Sequence, residues 1–599
     1  MWSDIDMGIA AILGQSKTIT GGGLVAEILA AEGVTKVFGI IDGTYFGLYS
    51  NFEPNGIQLV SPRHETSAAH MAGAYARLSG KLGVCMASNG PGVANVLPGV
   101  AVENAEGNRV LLITSSRREG IAYPDRLGTF QCFDQVAVTA PMTKWSCAVP
   151  SIGRLAEIMR RALRIAHTGR PGVVHVDIPE SIINGKHEVD ASWSRPVESY
   201  RSTERLCASP AQVRAAARIL TQAKKPMIHA GSGVLHAGAG EELSKLATLL
   251  AAPITTSWGA RAVVDERRDE IVPMQYLDVV KKARTSADAV LIVGSRMGET
   301  DWWGKAPYWA RPDKQRAVQV DIDIESMGNT RPVDLAIQAD AKTFLRALID
   351  ELAAPPPPAQ LRERRAFIAE LRAERDEQRK KLDEKHLDSR IPMSSAHVPN
   401  TCRQLFGDDD ICVMDGGNTA VWANFFHEVR SSNTVLATAK MGMLGAGVSQ
   451  ALGAQVAHPG RRVYCIIGDG AMGMHQQEIE TAVRNKLPVI YLVLCDKQWG
   501  MVKMNQQFAL KPLKTLALKS LGPDETINAD LSETRFDDLA RAMGAYGERV
   551  SDPAGLAGAI ERAKQSGRCA VIHVDVDPVK HMWAPALKAF KDMHAEPKG

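Results

Sequence analysis

The chain has no CxxC pair among its nine cysteines, so neither a zinc site nor a disulfide framework is indicated and a reduced setting is expected. It has no run of about 18 apolar residues, which excludes an ordinary membrane-spanning helix. No charge of one sign prevails. Seventy Lys and Arg stand against 67 Asp and Glu, a formal +3 with no long basic or acidic block, so there is no electrostatic case for nucleic acid. The opening stretch MWSDIDMGIAAILGQSK lacks the basic start and small-residue cleavage site of a signal peptide. The expectation is a cytoplasmic protein with a small-molecule substrate, bound to neither nucleic acid nor membrane.

What is present is an ordinary globular composition, 45% hydrophobic and 23% charged, spread over 599 residues, too many for one core. Short apolar runs that read as buried parallel strands recur in three regions. In the first they are KVFGII, KLGVCMAS, RVLLITS and GVVHVDIP; in the second KPMIHAGSG, APITTSW, AVLIVGSR and AVQVDID; in the third ICVMDGG, RVYCIIGDG, PVIYLVLCD and AVIHVDVD. Between the first two runs, ETSAAHMAGAYARLSG predicts a helix of small residues ending at a glycine. The expected architecture is α/β, with three doubly wound parallel-sheet domains at 18–190, 208–352 and 390–578. Residues 191–207 read as a polar linker. Residues 353–389, a proline run followed by RERRAFIAELRAERDEQRKKLDEKH, read as a second linker carrying a solvated helix, and 579–599 as a tail or lid.

The chemistry concentrates in GDGAMGMHQQEIETAVRNKLPVIYLVLCDKQWG, residues 468–500. Asp469 follows one strand and Asp496 the next, so a parallel sheet places both carboxylates at the carboxyl edge, where open α/β sheets bind ligands. Glycines let backbone approach a ligand, and the N–H groups after Asp469 face an anion. Magnesium takes oxygen ligands and keeps company with phosphates, so a cation bridging these acids to a diphosphate is the natural occupant.

This stretch resembles the cofactor motif of thiamine-diphosphate-dependent enzymes. The resemblance implies thiamine diphosphate and Mg2+ as cofactors. Asp469, Asp496 and the backbone carbonyl of Gln498 would ligate the metal, and Gly468, Gly470 and Ala471 would line the diphosphate. The family usually has asparagine where Asp496 stands, so one negative charge is added here, and Lys497 is a candidate to offset it. SPRHETSAAHMAGAYARLSGKLGVCMASNGPGVANVLPGVAVENAEGNRVLLITSS resembles the pyrimidine-binding domain of the acetolactate synthase-like branch. By that likeness Glu65 bonds the aminopyrimidine ring and acts as the catalytic carboxyl, with Asn89 of the NGPG turn beside the cofactor. MGMLGAG matches the loop whose Gly442 carbonyl and Leu444 side chain hold the cofactor bent, and DGGNT adds Gly416, Gly417 and Asn418. Gln131 is the expected polar catalytic residue on the substrate side, with Phe130, Trp499 and Met501 in the substrate pocket. His64 and His70, which flank Glu65, are not expected to be catalysts. The strand ends HAGSG and GSRMG of the central region suit ADP or FAD, or an empty structural pocket.

The resemblance covers roughly residues 18–578 and implies a homodimer or homotetramer whose sites lie between chains, Glu65 coming from one and Asp469 from another. Asn505 stands where acetolactate synthases usually have tryptophan, and MGETDWW lacks their arginine after GSR. DGGNT is closer to 2-hydroxyacyl-CoA lyases and oxalyl-CoA decarboxylases, and DQVAVTAPMTKW to aldehyde lyases of the branch. The tail KHMWAPALKAFKDMHAEPKG carries Lys580, Lys588, Lys591 and Lys598 among Met582, Trp583, Leu587, Phe590 and Met593, suited to a lid over a CoA thioester. The expected reaction is therefore cleavage or formation of a 2-hydroxyacyl-CoA. The alternatives are an acetolactate synthase-type carboligase or 2-keto acid decarboxylase, and a non-catalytic regulatory subunit.

Overall fold

The computed structural model describes residues 16–121, 126–352, 356–587 and 596–597. The chain divides into two units, one reaching Glu204 and including Leu452–His458, the other comprising Arg205–Ala451 and Pro459 onward.

The first unit is built on a six-stranded parallel sheet. Its strands are β1 (Lys36–Gly39), β2 (Gln58–Val60), β3 (Gly83–Ala87), β4 (Val110–Ser116), β5 (Trp145–Ala148) and β6 (Val173–Pro179), in the order β2-β1-β3-β4-β6-β5. The apolar runs form the interior strands, since β3, β4 and β6 are buried at every position and covered on both faces. The edges β2 and β5 are three and four residues long and partly exposed, too short and mixed to stand out in sequence. Helix α1 (Glu65–Ser79) follows β2. His64 caps it, its ring Nδ1 accepting from the Thr66 N–H at 3.1 Å, and Gly80 at φ 71° ends it. Its small residues admit close packing: a Cβ at Gly73 would lie 1.8 Å from Glu103 Oε2. Glu103 is buried there with His70, Nδ1 to Oε1 being 2.8 Å.

The second unit holds two parallel sheets. The central one has five strands, β7 (Pro226–Ala230), β8 (Ile254–Thr256), β9 (Ala289–Val293), β10 (Arg316–Asp321) and β11 (Leu335–Gln338), ordered β8-β7-β9-β10-β11. The other has six, β12 (Ile411–Asp415), β13 (Val435–Leu436), β14 (Val463–Gly468), β15 (Ile490–Cys495), β16 (Tyr546–Val550) and β17 (Ala570–Asp575), ordered β13-β12-β14-β15-β17-β16. Among the described residues no helix is long and apolar enough to cross a membrane.

The charged stretch read as a solvated linker helix is helical, as α2 (Pro358–His386), but it is not solvated on every face. Phe367 and Leu371 pack against Val272, Tyr276, Val279 and Val280. The buried Arg364 guanidinium donates to the carbonyls of Leu220, Thr221 and Ala223 at one helix end (3.2, 3.1 and 2.6 Å) and of Leu250 at another (2.8 Å). Arg375 likewise donates to the Glu266, Arg268 and Ile271 carbonyls. Helix ends leave carbonyls unpaired, and a guanidinium carries five donors, so arginine is a buried residue here in spite of its charge. Arg364→Ala is expected to lower unfolding stability by roughly 2–4 kcal/mol through those orphaned carbonyls. Arg362→Ala, on the exposed face, should shift it by no more than about 0.5 kcal/mol; denaturant midpoints compare the two.

Candidate cofactor site

Three neighbouring strands of the third sheet each end in an acid. β12 ends at Asp415, β14 runs into Asp469, and β15 into Asp496, and the register sets Asp415 opposite Ile467 and Gly468 opposite Leu494. Parallel pairing therefore brings all three to one edge. Asp469 opens helix α4 (Asp469–His475); its Oδ1 accepts from the Gly470 N–H at 2.7 Å and its Oδ2 from the Lys497 N–H at 2.8 Å. Asp496 Oδ2 accepts from Gln498 Nε2 at 3.1 Å, and the same Nε2 donates to the Pro578 carbonyl at 2.8 Å. Burial, reinforced by the facing Asp496 carboxylate, pushes Asp469 up to about 6. Burial likewise pushes Asp496 up to about 7. Two acids withdrawn from water beside each other favour a bound cation.

The loop carrying the second acid is held from outside the motif. The Lys497 carbonyl accepts from the Leu531 N–H and the Trp499 N–H donates to the Ala529 carbonyl, both at 2.8 Å, while Lys497 itself sits at φ 57°. The Lys497 ammonium pairs with Glu533 at 2.9 Å, which corrects the expectation that it offsets Asp496. Its backbone, not its charge, serves the site.

Around the acids lie further polar groups and close-packed glycines. Asn418, near the start of α3 (Gly417–Phe426), is buried, and neither its Nδ2 nor its Oδ1 has a hydrogen-bond partner among the described residues. A Cβ at Gly500 would lie 2.8 Å from Asn418 Nδ2 and 3.1 Å from Asp496 Oδ2, so these two side chains are neighbours. A Cβ at Gly470 would lie 2.7 Å from Trp499 Cζ3, and one at Gly417 3.5 Å from Met501 Cβ. Gly416 (φ 102°) and Gly468 lie against Thr419. Buried acids, an unpaired amide and glycine-lined backbone form a donor set that fits a cation with a diphosphate.

Asp415, which sequence reasoning passed over as a strand-end residue, ties two loops together. Its Oδ1 accepts from the Gly416 N–H (2.5 Å) and its Oδ2 from the Gly447 N–H (2.7 Å), so DGGNT and MGMLGAG are fixed to each other. Gly442 is exposed at φ 62° and donates its N–H to the Thr438 carbonyl; Leu444 is half-buried. Ala471 is buried in α4.

In the first unit, Glu65 is half-buried at the start of α1 and accepts from Asn95 Nδ2 at 3.1 Å. Asn89 donates from Nδ2 to the Gln131 carbonyl at 3.0 Å, so the NGPG turn grips the backbone of Gln131, which stands at φ 54° with an exposed side chain. Phe130 beside it is 74% exposed, so this chain alone does not enclose it in a pocket. Gln135, absent from the sequence reading, is the buried link behind the turn. It accepts from the Gly90 N–H (2.9 Å) and donates to Asp177 Oδ1 (2.7 Å), which also accepts from the Thr114 hydroxyl (2.6 Å).

In the central sheet, the glycines of HAGSG and GSRMG face each other: a Cβ at Gly231 would lie 2.1 Å from the Gly294 carbonyl oxygen. That close approach is one reason both positions are glycine. Asp301 of MGETDWW is buried against Arg284 (3.4 Å), His229 (3.3 Å) and the Ser257 hydroxyl (2.5 Å), so that segment serves the core. In the tail, Lys580 pairs with Asp388, and Lys588, Lys591, Lys598, Phe590 and Met593 lie outside the described residues.

Family models match all three regions: the thiamine pyrophosphate enzyme N-terminal TPP binding domain over residues 19–138, the central domain over 213–348, and the C-terminal TPP binding domain over 415–574. The chain belongs to the thiamine pyrophosphate enzymes. Within that family it falls in the acetolactate synthase-like branch. It is 27% identical to the probable acetolactate synthase large subunit of Methanocaldococcus jannaschii, over 94% of this chain and 92% of that one. It is 26% identical to the acetolactate synthase isozyme 3 large subunit of Escherichia coli, over 95% and 97%. It is 29% identical to an acetolactate synthase of Mycobacterium bovis, over 92% and 87%. The acid cluster lies within the residues matched by the C-terminal TPP binding domain.

The Asp177 support behind the NGPG turn gives a pH signature. Burial pushes Asp177 up to about 6 from its ordinary 3.8, so the folded state prefers its protonated form. Its contribution to stability is therefore lost as pH rises from about 4 to about 6 and stays lost above that range. Asp177→Asn keeps an acceptor for Thr114 and Gln135 without the charge. It should match wild type at pH 4 and exceed it above pH 6.5 by on the order of 2 kcal/mol in denaturant melts.

Proposed function

We propose that this thiamine pyrophosphate enzyme is a magnesium-dependent carboligase of the acetolactate synthase type, acting on 2-keto acids as a homodimer or a homotetramer. The observation that carries the reading is similarity to acetolactate synthase large subunits along nearly the whole length of each chain. The 2-hydroxyacyl-CoA lyase reading rested on short segments and on a tail of lysines. Of these lysines, Lys580 is already paired with Asp388. MGETDWW also counted against keto acids, but Asp301 within it serves the central core. Asn505 remains a departure from the family at an exposed position of helix α5 (Gly500–Leu510).

Bound thiamine diphosphate supplies a carbon nucleophile for the substrate carbonyl and accepts the electron pair of the neighbouring C–C bond. In this reading Asp469, Asp496 and the Gln498 carbonyl hold Mg2+ against the diphosphate. The Gly470 and Ala471 backbone and the unpaired Asn418 amide complete the anion cradle, with Gly416, Gly417 and Gly468 giving clearance. Glu65 would hold a proton at the aminopyrimidine ring and so supply acid–base chemistry there. The Gly442 carbonyl and Leu444 orient the pyrimidine, Asn89 fixes the Gln131 backbone, and Gln131, Phe130, Trp499 and Met501 face substrate.

Glu65→Gln should lower kcat by about 100-fold or more while the thiamine diphosphate dissociation constant, read by calorimetry, stays within about threefold. Unchanged kcat would remove Glu65 from the mechanism. For substrate, the protein with cofactor and Mg2+ is assayed with pyruvate alone, with pyruvate plus 2-ketobutyrate, and with 2-hydroxyacyl-CoA. Acetolactate or acetohydroxybutyrate is the expected product. Formyl-CoA and aldehyde with no keto-acid product would restore the lyase reading. Failure to bind thiamine diphosphate at millimolar concentration would leave a non-catalytic subunit.

A further inference from the structure

Asp496 is the one motif position where this chain departs from the family ligand, and its surroundings differ in kind from those of the other acids. The short helix α6 (Pro578–Met582) packs directly on the metal loop. Its Pro578 carbonyl accepts from Gln498, and Met582 lies beside Gly500 and near Gln507. Between them His581 is buried, with Nε2 3.9 Å from Asp496 Oδ2 and 3.3 Å from Thr419 Oγ1. The residue is anchored at two other points: Ser395 Oγ lies 2.6 Å from its Nδ1, and its backbone carbonyl accepts from Trp422 Nε1 at 2.9 Å.

These contacts select a tautomer. A bare Nε2 facing a carboxylate would set lone pair against negative charge, whereas Nε2–H faces two acceptors, Asp496 and Thr419. The Ser395 hydroxyl then donates to Nδ1 and every polar atom of the ring has a complementary neighbour. Asp496 Oδ2 thus accepts from the Gln498 amide and faces, 3.9 Å away, the His581 ring N–H, whose hydrogen bond goes to Thr419. An asparagine amide nitrogen at that oxygen's position would set donor against donor. The aspartate and the imidazole make a matched pair.

We propose that His581 is a positioning residue for the cation site, its Nε2–H drawing Asp496 Oδ2 to one side so that the other carboxylate oxygen is turned to the metal. The inference rests on the reading of Asp496 as a magnesium ligand. Outer residues that orient a metal ligand are worth about 10- to 100-fold in metal affinity, and His581 supplies this orientation as a neutral dipole, without adding charge beside the diphosphate.

The test is a double-mutant cycle on the full chain, read as the Mg2+ dissociation constant by calorimetry with thiamine diphosphate saturating, and repeated with Mn2+ by electron paramagnetic resonance. His581→Ala is expected to weaken the metal by about 10-fold. His581→Gln, which keeps an N–H near the place of Nε2, should stay within about threefold of wild type. In the Asp496→Asn background His581→Ala should change the constant by less than about twofold, because the partner oxygen is gone. Equal losses in both backgrounds, or a Gln variant as weak as the Ala variant, would assign His581 to packing alone and overturn the proposal. A wild-type chain that binds thiamine diphosphate but no divalent cation would instead overturn the reading of Asp496 as a ligand, and this inference with it.

Discussion

Asp469 and Asp496 emerge from adjacent parallel strands, both withdrawn from water and facing each other, and the third sheet is arranged around that pair. Burial raises both acids above the ordinary carboxylate range, and the Asp496 carboxylate raises Asp469 further. The structure meets this with backbone N–H groups of Gly470 and Lys497 on one carboxylate and the Gln498 amide on the other. These donors orient the oxygens without cancelling their charge. What remains is a pair of buried acids at one strand edge, a donor set of the kind that suits a cation.

Holding that pair in place takes residues far from it in sequence. The segment 529–531 pairs with the 497–499 loop, Asp415 ties DGGNT to the glycine loop that follows it, and α6 returns from beyond the last strand to cover Asp496. In the first unit the same logic recurs around the NGPG turn, where Gln135 and Asp177 stand behind Gly90 as Asp415 stands behind Gly416. Asp415, Gln135 and Asp177 are buried polar side chains that similarity did not mark, and they back three of the loops it assigns to the cofactor.

Charge was the least reliable guide in the linear reading. Lys497, adjacent to the extra acid, sits at a left-handed φ of 57° and sends its ammonium to Glu533. Arg364 and Arg375, in a stretch charged enough to suggest solvation, are interior residues that satisfy backbone carbonyls, those of helix ends for Arg364 and of the 266–271 turn segment for Arg375. Asp301, in a segment compared with a substrate-contacting one, belongs to a buried network with Arg284 and His229. In each case the partner that settles the role is remote in sequence or set by a backbone angle.

The sequence by itself determined the interior of the three sheets, since uninterrupted apolar runs such as RVYCII and PVIYLVLC have no stable place except between two covering layers. It also determined that two acids would meet at a strand edge, because Asp469 and Asp496 each follow such a run. It did not determine the edge strands β2, β5, β11, β13 and β16, which are short and mixed and owe their pairing to a neighbour already formed. Nor did it disclose Gln135, Asp415 or His581 as supports. Hydrogen bonding between side chains distant in the chain leaves no periodicity behind; only the tertiary fold, by bringing α6 onto the loop of Asp496, decided which donors that carboxylate would meet.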